Sequence, residues 1–373
     1  MAPKPKIAFI GNSSFSMYNF RLGVMKSFTP NFDVTVIAIR DEYTELILAE
    51  NLRYIEIKID EKGTNICHDI IFCVSLYHIF KQNHFDLVIN YTIKPIIYGS
   101  IVCRLLHTNT IAITTGLGFT FRKKSLINQL VQVLYRYSLK KVNEIWFLNE
   151  DDRQLFIKHK LTIPQKTFVL PSEGIDTKYF FPTKTIPKPQ FRFLLLSRLL
   201  LDKGIVEYAE ASKIIRHKYP NIECLLLGKI ESNSRYGITT DIIHTWEANG
   251  CLKYQGYMQD VRSIIADVDC VVLPSYYREG VPRCLMEAMS MQKPIITTNN
   301  VGCSELIQDG VNGIQCQPRS SKDLADAMEQ MYLLSAEERQ NMGKIGRQII
   351  LETFDEKLII EHYHTRILPY FHI

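Results

Sequence analysis

The chain has 373 residues, 46% of them hydrophobic and 22% charged, with 18 Gly and 15 Pro. These proportions argue against disordered, collagenous and coiled-coil chains, and the length suits two domains, or three. The net charge of +5 is unevenly spread: residues 1–181 hold 22 basic and 16 acidic side chains, and Leu87 to Asn143 contains no Asp or Glu, so an anionic partner is expected on that half and a nucleic-acid motif is not found there.

Apolar runs of strand length alternate with stretches of helix length along the chain. In the first half, strands are expected at Lys6–Gly11, Val34–Ile39, Arg53–Ile59, Asp86–Tyr91, Thr110–Thr115, Glu144–Leu148 and Thr167–Leu170. Helices are expected at Phe20–Phe28, Ile66–Lys81, Pro95–Leu106, Ser125–Lys141 and Asp151–His159. Phe181 to Pro189 has three prolines in its last eight positions and reads as a linker. Beyond it, strands are expected at Phe191–Leu196, Ile222–Leu227, Lys253–Gly256, Cys270–Pro274 and Pro294–Thr298. Helices there are Gly204–His217, Ile238–Ala248, Val261–Ala266, Pro282–Met291, Ser304–Gln308, Lys322–Leu334, Ala336–Glu352 and Asp355–Ile367. Several strands are apolar throughout, the mark of parallel sheets covered on both faces. Two doubly wound α/β domains follow, with ligands at the carboxyl ends of the strands.

No apolar run reaches the length of about 18 residues needed to span a membrane, and the N-terminus lacks the apolar stretch of a signal peptide. The nine cysteines include no CxxC pair. That pattern argues against a zinc ribbon or a disulfide scaffold and for buried free thiols in a reducing cytoplasm.

Two stretches hold chemistry. Ser197-Arg198-Leu199-Leu200-Leu201-Asp202-Lys203-Gly204 leaves a buried strand and enters a helix. Arg198 and Lys203 beside free helix N–H groups suit a diphosphate, although a solvated loop with two cations fits the local pattern as well. Glu279-Gly280-Val281-Pro282-Arg283-Cys284-Leu285-Met286-Glu287 follows the strand Cys270–Pro274. Pro282 suits the first position of a helix, Gly280 permits close approach to the backbone, and the two carboxylates can accept hydrogen bonds from sugar or ribose hydroxyls.

This E-x7-E run resembles the signature of retaining glycosyltransferases of family 4. Ser197-Arg198, Lys203-Gly204, Pro294-Ile295-Ile296-Thr297-Thr298 and Gly302-Cys303 extend the likeness. In the first half, Tyr91-Thr92-Ile93-Lys94-Pro95 and Thr115-Gly116-Leu117-Gly118 are similar to a bacterial branch that builds capsule, O-antigen and glycoprotein glycans on polyprenyl diphosphate.

The resemblance implies a GT-B fold: two Rossmann-like domains facing across a cleft. Residues 1–181 would be the acceptor domain and 190–354 the nucleotide-sugar domain, with residues 355–373 crossing back to the first. Arg198 and Lys203 would bind the donor diphosphate, and Glu279 the transferred sugar; these three are the expected catalytic set. Gly11, Gly256, Tyr257, Gly280, Val281, Pro282, Leu285 and Glu287 would complete the donor site, with Glu287 on the ribose. Asn12, Lys94, Thr115, Arg122, Lys123 and Lys124 would face the acceptor. Many members place a His in the loop after the fifth strand. Here Thr114-Thr115-Gly116 has none, leaving Thr115 or backbone to supply any polar contact.

No metal or cofactor is expected, only a UDP-sugar as donor substrate. Asp267-Val268-Asp269 sits between a helix and a strand, where capping is ordinary, and His362 and His364 do not share a helix face. The helix from Ser125 to Lys141, with Arg122-Lys123-Lys124 before it, reads either as a helix packed on its own sheet or as an element at an anionic membrane surface. The expected protein is therefore a cytoplasmic transferase, peripheral on the inner face of the cell membrane, acting on an undecaprenyl-diphosphate-linked sugar. A transferase with a soluble acceptor, a UDP-sugar epimerase and a non-catalytic nucleotide-sugar-binding module are the competing readings.

Overall fold

A computed structural model describes residues 3–60, 65–116, 126–184, 188–231, 234 and 236–371. The chain forms two compact units. Residues 1–174 and 356–373 make the first, and residues 175–355 the second.

The first unit runs β1 (Lys6–Ser13), α1 (Ser14–Phe28), β2 (Asp33–Ile39), α2 (Thr44–Ala49), β3 (Arg53–Glu56), α3 (Ile66–Asn83) and β4 (Leu87–Tyr91). A π-helical turn (Pro95–Gly99) then leads into α4 (Ser100–Leu106), followed by β5 (Asn109–Ile113), α5 (Leu126–Leu139), β6 (Glu144–Phe147), α6 (Glu150–Lys158) and β7 (Thr167–Val169). The seven strands are parallel, in the order β3-β2-β1-β4-β5-β6-β7. Ile7 pairs with both Val34 and Leu87, so these side chains share one face of the sheet. With Phe9, Ile89, Ile111 and Trp146 they form a core that α1 covers through Met17, Val24 and Phe28. The other face, carrying Ala8, Ile10 and Val88, is covered by Phe72 and Leu76 of α3 and Val102 of α4. Further along that face, Ala112 and Ile145 meet Tyr135 and Leu139 of α5.

The second unit runs β8 (Phe191–Leu196), α7 (Ile205–Lys218), β9 (Ile222–Leu227), α8 (Thr240–Ala248), β10 (Lys253–Tyr254), α9 (Arg262–Ala266), β11 (Cys270–Leu273) and α10 (Arg283–Ser290). After it come β12 (Ile295–Thr298), β13 (Gly313–Cys316), α11 (Ser321–Leu333) and α12 (Ala336–Ile349). Its parallel sheet has the order β10-β9-β8-β11-β12-β13. The last helix, α13 (Glu356–Ile367), belongs to the first unit, where Ile359, Tyr363 and Ile367 are buried in the core and the Tyr363 hydroxyl meets that of Tyr91 at 2.9 Å.

Three expectations shift. The chain leaves the first unit at Gly174 rather than at residue 181. Ile175 and Phe180 are buried in the second unit's core, and Arg347 donates to the Phe180 carbonyl at 3.2 Å. The proline-rich stretch therefore follows the crossing instead of forming it. Ser304–Gln308 is a turn, not a helix: the Asn312 side chain takes the Gln308 N–H at 2.7 Å and the Leu306 carbonyl at 2.8 Å, which a helix would have needed. Cys67 is exposed rather than buried. All nine cysteines are free thiols, and no helix among the described residues is long and apolar enough to cross a membrane.

Candidate functional site

In the second unit the strand order reverses between β8 and β11. Loops leaving the carboxyl ends of two such strands diverge, and a ligand can enter between them. Strand β8 delivers Ser197 to Gly204, and β11 delivers Ser275 to Pro282. The two loops are tied together where Tyr276 N–H donates to the Asp202 carbonyl at 3.1 Å.

The charged side chains meet at the same place. Lys203 Nζ lies 2.5 Å from Glu279 Oε1, and the two side chains are 14% and 12% exposed. Ser275 Oγ donates to the same carboxylate oxygen at 2.8 Å, and the Lys203 ammonium stands 5.7 Å from the centre of the Tyr277 ring. Both bonds fall on Oε1, so Oε2 is the oxygen that an incoming hydroxyl would meet. Gly302, with φ +85°, presses against this loop: a Cβ there would fall 2.1 Å from the Gly280 carbonyl oxygen.

Pro282 stands at the N-terminus of α10, and no side chain caps that end. One and a half turns in, Glu287 is 9% exposed. Its Oε1 accepts from Arg283 Nε at 3.0 Å. Burial pushes the Glu287 carboxyl up, and the Arg283 guanidinium draws it back. Cys284 marks how closely these groups are gathered: burial pushes its thiol well up, and Glu287, Lys203 and Glu279 all bear on it electrostatically. A cation, two carboxylates and an uncapped helix end thus surround one short stretch of backbone, a set suited to a phosphorylated polyol.

The remaining expected residues divide. Arg198 is exposed at the head of the Lys203 loop and takes no part in the Lys203–Glu279 pair. Gly280 and Val281 are half-buried in the loop between Glu279 and α10. The Leu285 side chain is corrected: it is fully buried in the core, with Met289 and Leu273, which leaves only the backbone of the first turn of α10 to face a ligand. Gly256 and Tyr257 follow the edge strand β10, two strands out from β8. The Gly256 carbonyl accepts from Gly228 N–H at 2.9 Å, and Tyr257, 47% exposed, has the Lys229 ammonium 5.9 Å from its ring centre. Asp267 pairs with Lys188 and Arg192, and Asp269 accepts from Arg192 N–H at 2.8 Å, so this pair braces the start of β8.

In the first unit the order reverses between β1 and β4. Asn12, at the end of β1, accepts a hydrogen bond from Thr92 beyond β4, where Thr92 has φ +67°. Gly11 is buried beneath Met17, whose sulfur would sit 2.4 Å from an added Cβ, so packing supplies a reason for glycine there. Lys94 is held by Asp69 at 2.6 Å, and Tyr98 donates to the other oxygen of the same carboxylate at 2.8 Å. Thr115 is half-buried after β5. Arg122, Lys123 and Lys124 lie outside the described residues.

Sequence reasoning gave no role to Ser275 or Arg283. Ser275 is the first hydroxyl after an all-apolar strand, and Arg283 stands four residues before Glu287, where the two share a helix face. Those placements were the available signals.

Residues 176–349 match the family model described as Glycosyl transferases group 1, and residues 6–149 that described as Glycosyl transferase 4-like. The chain is 25% identical to the N,N'-diacetylbacillosaminyl-diphospho-undecaprenol alpha-1,3-N-acetylgalactosaminyltransferase of Campylobacter jejuni, over 96% of this chain and 97% of that protein. It is also 25% identical to the UDP-Gal:alpha-D-GlcNAc-diphosphoundecaprenol alpha-1,3-galactosyltransferase of Escherichia coli, over 68% and 67% respectively. Among solved structures, Anabaena Alr3699/HepE in complex with UDP and glucose superposes with a TM-score of 0.82 at 16% identity, covering 98% of this chain and 100% of that one.

Proposed function

For a chain that belongs to the glycosyltransferases, with a 4-like first half, a group 1 second half and a GT-B fold, we propose transfer of a hexose or N-acetylhexosamine from a UDP-sugar to an undecaprenyl-diphosphate-linked sugar. The observation that carries this reading is the Lys203–Glu279–Ser275 cluster beside the uncapped end of α10.

Lys203, Arg198 and the α10 N–H groups would neutralise the donor diphosphate, the leaving group. Glu279 would hold hydroxyls of the transferred sugar, and Glu287 those of the ribose. The anomeric C–O bond breaks with its electron pair on the departing phosphate oxygen. The acceptor hydroxyl oxygen bonds the anomeric carbon from the same face, and its proton goes to that phosphate oxygen. The configuration is retained. No carboxylate needs to act as nucleophile; the protein's work is alignment and charge stabilisation. The likeness to enzymes named for diphospho-undecaprenol acceptors over two thirds or more of the chain supports the acceptor class. Such an acceptor would place the enzyme on the inner face of the cell membrane as a peripheral protein.

A screen of UDP- and GDP-sugars with an undecaprenyl-diphosphate-sugar acceptor, read by nucleotide release and by mass of the lipid product, tests the proposal. Wild type should release UDP only when both substrates are present, and Glu279→Ala should lose at least about a hundredfold in rate, on the scale of removing one transition-state contact. Equal rates for the two proteins, or UDP release that ignores the acceptor, would overturn it.

A further inference from the structure

Single exposed aliphatic side chains are ordinary on a soluble surface. Helix α3 shows something else. Ile66, Ile70, Ile71 and Val74 are 64%, 58%, 62% and 50% exposed. Ile66, Ile70 and Val74 stand at i, i+4 and i+8, a strip of about 12 Å along the helix. The inward face of α3 is already satisfied, because Phe72, Leu76 and Phe80 fill the core beneath it. Around Ile70–Leu76 the helix is therefore apolar on its outer side and, next to the paired Asp69, on its inner side, a pattern that belongs to a covered helix.

The strip has neighbours of the same character. Helices α3, α4 and α5 cover the same face of the sheet, with the π-helical turn packed against all three. Leu105 of α4 is 62% exposed, and α5 presents Leu130, Val133 and Tyr137 at 49%, 55% and 53%. Cations are interleaved with them: Lys140 and Lys141 are exposed just beyond α5, and the Arg104 guanidinium sits 4.8 Å from the Tyr137 ring centre. Between Asn65 and Asn143 the sequence holds two acids, Asp69 and Asp86. Asp69 is engaged by Lys94 and Tyr98, and Asp86, whose carboxylate accepts from Lys6 N–H at 2.8 Å, precedes β4 at the same amino end of the sheet as Lys140 and Lys141. Asp60 stands beside the start of α3, 3.3 Å from His68 Nδ1, so cations outnumber carboxylates around this apolar surface, which complements an anionic bilayer. A second copy of the chain would bring the same cations against themselves.

We propose that the outer surface of α3, α4 and α5 docks on anionic membrane, with the α3 aliphatic side chains entering the acyl boundary and the cations after α5 meeting headgroups. This deepens the lipid-linked acceptor reading and rests on it for its purpose. The docking itself is tested without catalysis, by flotation of the full chain with phosphatidylglycerol–phosphatidylcholine vesicles. Wild type should float. The triple change Ile70→Ser, Ile71→Ser, Val74→Ser should reduce binding at least about tenfold at any salt. Lys140→Glu with Lys141→Glu should reduce it chiefly at low salt. Leu333→Ser, at an equally exposed residue on α11 (63%), should change nothing. The triple variant should keep full activity on a water-soluble short-chain acceptor and lose it on an acceptor embedded in vesicles. Unchanged flotation of the triple variant would overturn the proposal. So would its sedimentation as a monomer where wild type is a dimer, which assigns the strip to self-association. Intact flotation with no transfer to any lipid-linked sugar would instead defeat the acceptor reading and leave the docking surface standing.

Discussion

Replacing Arg283 by Gln removes the cation beside Glu287 and, with it, the guanidinium 5.9 Å from the Phe180 ring centre. A cation at the first position of a helix opposes the helix dipole, and Arg preceding Glu by four residues is the less favourable order, so helix stability does not account for the pair. With Arg283 Nε 3.0 Å from Glu287 Oε1, the charge centres are about 4 Å apart, and at an effective dielectric of about 20 their attraction is about 4 kcal/mol. The Arg283 side chain is 23% exposed, and solvent screening reduces this to about 2 kcal/mol. Without the guanidinium, burial pushes the Glu287 carboxyl further up. A protonated Glu287 would be a poorer acceptor for the ribose hydroxyls proposed to meet it. UDP should bind roughly thirtyfold more weakly at neutral pH, the equivalent of about 2 kcal/mol. The sign of the pH dependence follows. A carboxyl raised above its ordinary value protonates early as pH falls, so the affinity of wild type for UDP drops on the acid side sooner than for an ordinary glutamate. The deficit of Arg283→Gln should shrink as pH rises and Glu287 ionises again. Calorimetric titration with UDP from pH 6 to 9 reads this, with Glu287→Gln as the pH-insensitive reference. A deficit constant across that range would refute the reasoning and assign Arg283 directly to the phosphates.

Two other perturbations separate causes that sequence alone confounds. Gly302 and Gly256 both have positive φ, +85° and +73°, but an added Cβ meets the Gly280 carbonyl oxygen at 2.1 Å in the first case and nothing within 4 Å in the second. Gly256→Ala should cost about 1 kcal/mol, the backbone penalty alone, and Gly302→Ala at least about 3 kcal/mol together with loss of UDP binding; thermal melts that rank them equally would contradict this. Arg21 is 3% exposed, paired with Glu173 and stacked 4.2 Å from the Tyr91 ring centre. Arg21→Met should cost about 3 kcal/mol in denaturant unfolding by leaving the half-buried Glu173 without this cation, whereas Lys26→Ala, in an exposed pair, should cost less than about 1 kcal/mol.

The parallel sheets were legible because their strands are apolar throughout: Ala8, Phe9 and Ile10, or Val271 and Val272, leave no polar face to expose. The meeting of Lys203 and Glu279 was legible because both lie in short loops at adjacent strand ends. What escaped was set by packing at long range. Strand β13 (Gly313–Cys316) is short and half polar, and its pairing with β12 defines it. Helix α2 has six residues and no flanking signal. The crossing at Gly174 was hidden because the prolines after it mark irregular backbone, and only the burial of Ile175 and Phe180 shows where that backbone is anchored. Leu285 was placed with the ligand because it lies inside the motif, and the periodicity of α10 turns it inward instead.

The return of α13 to the first unit reorders how the molecule is made. Emerging from the ribosome, residues 1–174 can build a sheet but lack Ile359, Tyr363 and Ile367, three core side chains that are synthesised about 180 residues later. The second unit, which is contiguous in sequence, is complete in the nascent chain before the first is. The half translated earliest is thus the last to close, and until then Trp146 and Tyr91 lack the Tyr363 side chain that packs on them.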